Sequence, residues 1–187
     1  MRMFVSKLVI AKRDYCVPAT LQMVLEHYGI GGFTQDNIAD QMSIVSSDGS
    51  TEHSKWGTQI ERNTLNDFFV RNHINLRERY IPINHFSDGC FLGEELSKLL
   101  KENAAIVCGF NYSWLYGRRD DTFRHVSIIV DFDAKREIAT LLDPGPKDAG
   151  YKDVDIDRLY IAIKMANDGL WCMRPQKILC NRRSSTV

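Results

Sequence analysis

The chain has 187 residues, 44% of them hydrophobic and 26% charged, and its 24 basic residues balance its 24 acidic ones. That is the length and composition of one ordinary globular domain over residues 1–187, and the balance gives no reason to expect nucleic acid or an anionic membrane as a partner. No uncharged apolar run approaches the roughly 20 residues of a membrane-spanning helix. Arg2, Lys7, Lys12, Arg13 and Asp14 also break up any signal-peptide core, so a cytoplasmic location is expected, with signal-independent export left open.

In chain order, residues 4–11 alternate loosely and suggest a strand. Over 18–28 the period becomes helical: Leu21, Val24, Leu25 and Tyr28 share a face, Pro18 suits a first turn, and Gly29 supplies a stop. Thr34 is placed to cap a second helix through Met42. Further helices are expected near 63–73 and 93–102. Strands follow at 104–110, 125–132 and 137–143, then a turn at Pro144-Gly145-Pro146, a short helix over 157–166 and a strand over 170–179. Helices in the first half and antiparallel strands in the second indicate an α+β fold.

The five cysteines, Cys16, Cys90, Cys108, Cys172 and Cys180, are odd in number and lack zinc-knuckle spacing, which argues against a disulfide framework or a structural metal. Cys108 reads as core. Cys16 is different, because it opens the first helix, where unpaired N–H groups and the positive end of the helix dipole favour a thiolate. His125 and Asp143 are the expected partners. A hairpin centred on Ala134 puts them directly opposite one another, close enough for a carboxylate–imidazole hydrogen bond. A slip of one residue would send them to opposite faces. His27 is three turns beyond Cys16, and His53, His73 and His85 read as surface residues. The aromatics of Trp56-Gly57-Thr58 and of Tyr112 to Gly117 either line a cleft or cover the core edge.

The segment from Asp14 to Gly29, with Cys16-Val17-Pro18 at its head, resembles the nucleophile helix of bacteriocin-leader peptidase-like domains, a branch of the papain superfamily. The His125 strand and Leu142-Asp143-Pro144 are similar to that family's other catalytic motifs. The resemblance implies a Cys16-His125-Asp143 triad on a papain-like fold, with an N-terminal helical lobe packed on a C-terminal antiparallel sheet. It departs at Ile10, where the family carries an oxyanion-donating glutamine six residues before the cysteine, and at Val17, where glycine is common. Lys12 or Arg13, and then Gln59 or Asn111, are the candidate replacement donors.

The expected function is a papain-like cysteine peptidase or amide hydrolase working through a thioester on a peptide, protein or acyl-amide substrate, with no cofactor or metal. The alternatives are an acyltransferase using the same triad, or a catalytically weak peptide-binding module.

Overall fold

A computed structural model describes residues 7–12, 14–42, 44–46, 56–58, 60, 64–117, 124–145 and 148–176. The helical lobe comes first, with α1 (Cys16–His27), α2 (Gln35–Gln41) and α3 (Thr64–Arg71), plus a small pair of strands, β1 (Ile44–Ser46) and β2 (Trp56–Thr58). The rest is β3 (Leu76–Pro82), α4 (Gly89–Lys101), β4 (Ala105–Asn111), the one-turn α5 (Tyr112–Leu115), β5 (Arg124–Asp133), β6 (Ile138–Asp143), β7 (Gly150–Asp155), α6 (Ile156–Met165) and β8 (Gly169–Pro175). Six strands form one antiparallel sheet in the order β3-β8-β4-β5-β6-β7. The fold is α+β, as the segregated pattern indicated.

Local chemistry sets the element limits. Thr34 accepts the Asn37 N–H at the start of α2, as expected. Asp88 does the same for Phe91 in α4, so that helix begins a turn earlier than its leucine periodicity suggests. Central strand β4 is buried along almost its whole length, so its sequence is a continuous apolar run. Residues 7–12 form no strand, in contrast to the expectation for 4–11. Residues 4–6 lie outside the described residues, and the segment that follows is tied to the sheet by the Ala11 N–H, which donates to the Pro144 carbonyl at 2.8 Å.

The lobe is seated on the sheet by polar pins within an apolar core. The Tyr28 hydroxyl at the end of α1 donates to the Met173 carbonyl at 2.8 Å and accepts the Ala105 N–H at 3.0 Å. Near the other end of the helix, the Thr20 hydroxyl donates to the Val126 carbonyl at 3.3 Å. Val17, Leu21, Met23, Val24 and Leu25 are buried between them. α1 is therefore fixed on the sheet at two points, which aims its first residue. Among the described residues no helix is long and apolar enough to cross a membrane.

Candidate active site

Cys16 is the first residue of α1 and is half-buried. The chain enters through Asp14, whose φ of 63° lies in the left-handed region, which aspartate tolerates better than most residues. The Tyr15 N–H then returns to the Lys12 carbonyl at 3.1 Å, a tight turn that leaves Tyr15 at the cap position. Tyr15 provides no side-chain cap, and the first turn holds no acidic residue. The positive end of the helix is thus not neutralised by α1's own side chains. Thr20 lies one turn further on the same face and is pinned beside Val126, so Cys16 is directed at the start of β5, where His125 sits.

His125 Nε2 and Asp143 Oδ1 are 2.7 Å apart, and both side chains are buried, at 2% and 0% exposure. The register that brings them together differs from direct opposition. Near the turn, Asp133 pairs with Ile138 and Asp131 with Thr140; beyond a bulge, Ile129 pairs with Leu141 and Ile128 with Leu142. Continued one step, Asp143 falls opposite Ser127, diagonal to His125 and on the same face. Carried on without the bulge, the register at the turn would put Asp143 opposite Ile128 and the two side chains on opposite faces. The extra residue, Val130, restores the parity.

Asp143 is held from three sides. Its Oδ1 also accepts the Gly145 N–H at 2.8 Å, while Lys152 Nζ on β7 lies 3.1 Å from Oδ2. A Cβ at position 145 would sit only 3.1 Å from Oδ1, so glycine lets the backbone close over the carboxylate. Burial opposes the charge of Asp143, but His125, the Gly145 N–H and Lys152 outweigh it and hold the carboxyl below its ordinary range. Burial likewise disfavours the His125 imidazolium. The hydrogen bond that the ring donates to Asp143 and that with the Cys16 side chain overcome this, and the imidazole is pushed up to about 9.

The Tyr112-to-Gly117 aromatics wall the site. The Tyr112 ring stands edge-on to His125 at 5.2 Å between centroids, and Phe110, paired with His125 across β4 and β5, is at 5.6 Å. Trp56-Gly57-Thr58 forms β2 of the small strand pair, away from the main sheet.

Of the candidate oxyanion donors, Lys12 is engaged in an ion pair with Asp36, and its N–H donates to Gln35 Oε1 at 3.0 Å. Asn111 uses its side-chain oxygen to cap α5. Arg13 and Gln59 lie outside the described residues, as do His53 and Cys180. Ile10 is 59% exposed on the segment that runs past Pro144.

Cys108 and Cys172 are core residues, and burial pushes both thiols up, Cys172 to about 12. Cys90 is exposed on α4. His27 ends α1, at the opposite end from Cys16. Among the described residues no group of three or more His, Cys, Asp or Glu side chains could hold a metal ion. Sequence reasoning missed Lys152, Gly145 and Thr20, because each acts across strands or between the two lobes and has no spacing that marks it.

A helical lobe seated on an antiparallel sheet, with a cysteine at the head of the helix that crosses it, is the architecture of papain-like cysteine peptidase domains. The chain belongs to the Peptidase C39-like family, whose model matches residues 4–167. Its fold is also that of a crystal structure of a protein from Bacillus anthracis described as a C39-like peptidase, with a TM-score of 0.66 at 15% identity over 94% of this chain and 98% of the other. No curated protein matches it.

Proposed function

We propose that this protein is a cysteine peptidase or amide hydrolase in which Cys16 is the nucleophile, His125 the general base and acid, and Asp143 the residue that orients the imidazole. The observation that carries the reading is the buried His125–Asp143 pair at the start of β5, the point on the sheet where Thr20 pins the helix that Cys16 opens. In the reaction, His125 takes the thiol proton and the Cys16 sulfur bonds to the substrate carbonyl carbon. As the tetrahedral intermediate collapses, the imidazolium returns that proton to the departing amine. Water then gives a proton to His125 and attacks the thioester, releasing the carboxylic acid and the free thiol. The Cys16 N–H at the uncapped helix start supplies one oxyanion donor.

The same residues would pass the acyl group to an amine in place of water, since the cleft rather than the triad selects the acceptor. One feature favours a second reading as a catalytically weak peptide-binding module: Ile10 stands where the resemblance to bacteriocin-leader peptidase-like domains implies an oxyanion-donating glutamine.

Turnover of peptide, side-chain amide and thioester substrates by the wild-type protein, Cys16→Ala and Cys108→Ala separates these readings. The hydrolase reading expects turnover that Cys16→Ala abolishes and Cys108→Ala, a core change, preserves. Full turnover by Cys16→Ala would place the chemistry elsewhere, and a folded wild-type protein inert on all three classes would favour the binding module.

A further inference from the structure

Lys152 is a polar residue on edge strand β7 whose side chain is only 18% exposed, although nothing about an edge strand requires a lysine to turn inward. It pairs with Leu141, and Asp143 pairs with Gly150, so Lys152 and Asp143 are diagonal neighbours on one face of the sheet. His125 is diagonal to Asp143 on the other side. Three adjacent strands thus present a row on one face: ammonium, carboxylate, imidazole. Each cation takes a different carboxylate oxygen, Lys152 the Oδ2 at 3.1 Å and His125 the Oδ1 at 2.7 Å.

The ammonium is itself clamped. It lies 4.6 Å from the centre of the Tyr116 ring and 5.5 Å from that of Tyr112, positions of cation–π attraction. Tyr112 also packs edge-on against His125, so the ring that borders the imidazole borders the lysine too. The other titratable groups around the row are Cys16 on α1, Cys108 on β4, Tyr112 on α5 and Tyr116 just beyond it. Burial pushes Cys108 and Tyr116 up, and both stay neutral.

We propose that Lys152 is a positioning residue of the candidate active site, fixing Oδ2 of Asp143 so that Oδ1 is presented to His125 in one orientation. A buried carboxylate held only at Oδ1 is free to swing its other oxygen about that anchor; a second charged contact removes this freedom. The ammonium also opposes the imidazolium along the row, so it moderates the proton affinity that Asp143 confers on His125. The inference rests on the hydrolase reading only for its kinetic consequence.

The test is the pH titration of the His125 ring followed by NMR in the full chain, for the wild-type protein, Lys152→Met and Lys152→Arg, each with its thermal unfolding midpoint. Lys152→Met is expected to raise the His125 midpoint by about 0.5–1 pH unit, because a repelling charge is lost. Lys152→Arg, which keeps the charge and can still reach Oδ2, is expected to restore the wild-type midpoint. An unchanged midpoint in Lys152→Met, or an equal shift in both variants, would overturn the proposal. If Lys152→Met does not fold, the arginine variant decides: a shift of half a unit or more contradicts the role, and a wild-type midpoint supports it. Where turnover is found, Lys152→Met is expected to lower kcat about tenfold with KM unchanged. Because the titration is read without substrate, failure of the hydrolase reading would leave this result standing.

Discussion

The two halves of the candidate site are built in different ways. The Asp143 half is over-determined: a fully buried carboxylate receives a backbone N–H, an imidazole and an ammonium, from residues on two strands and a turn. The Cys16 half is less constrained. It consists of an uncapped helix start entered through a left-handed Asp14, with Ile10 exposed on the segment before it. A base and its orienter need fixed charge geometry, which a sheet supplies. A nucleophile needs an accessible sulfur and a backbone dipole, which a helix end supplies without side-chain help. Among the described residues the side-chain contacts that fix the site are therefore concentrated at the carboxylate half.

The largest effect is expected from breaking the carboxylate half. Asp143→Ala leaves Lys152 and a raised His125 facing an empty site, and loss of one partner from a buried charged set costs about 3–5 kcal/mol. Chemical denaturation should register that loss. The milder Asp143→Asn should fold and lower kcat by about 10²–10⁴-fold through misoriented imidazole. A kcat within threefold of wild type would remove Asp143 from the mechanism.

The cysteine half can be sharpened instead. Ile10→Gln puts an amide donor six residues before Cys16, where the sequence resemblance leads one to expect it, and loss of such a donor elsewhere costs about 10²–10³ in rate. A gain of tenfold or more in kcat, with little change in stability, is expected from steady-state kinetics. An unchanged kcat would mean that Ile10 does not face the oxyanion.

The carboxylate half also sets how stability depends on pH. His125 has a folded-state pKa of about 9, above its ordinary 6.5, so its contribution is complete below 6.5 and disappears as pH rises through about 9. Asp143 is held below 3.8, so its contribution is present above 3.8 and is lost as pH falls through its lower folded value. Denaturation midpoints should therefore be highest between these limits and decline from 6.5 toward 9. A midpoint flat across that interval would argue against a charged His125.

The smallest effect is remote from both halves. Thr34→Ala removes the cap on α2 and should cost about 0.5–2 kcal/mol with kcat unchanged. A fall in kcat of tenfold or more would show that the lobe communicates with the site.

What could be read from the sequence follows the same division. Cys16 was legible because a helix start is a local pattern: Pro18 in the first turn, then apolar residues at helical spacing. The partnership of His125 and Asp143 was legible from hairpin symmetry, but its register was not, because the bulge at Val130 leaves no mark in a run of apolar residues. Strand β3 was missed because Arg77, Glu78 and Arg79 interrupt it with charge, and Glu78 is buried through contact with Asn66 of α3, an inter-element pairing. Strand β7 was missed for a related reason. Gly150 to Asp155 is polar enough to read as loop, and its role appears only when β6 lies beside it.

The central claim is that Cys16 and Asp143 both act on the imidazole of His125, so that the three work as a unit. The most direct test is the titration midpoint of His125 in the wild-type protein and in Cys16→Ala. A midpoint near 9 in the wild type, and a lower one in Cys16→Ala, is the predicted result, because both Asp143 and the Cys16 side chain raise it. A wild-type midpoint at the ordinary 6.5, or one that Cys16→Ala leaves unmoved, would contradict it.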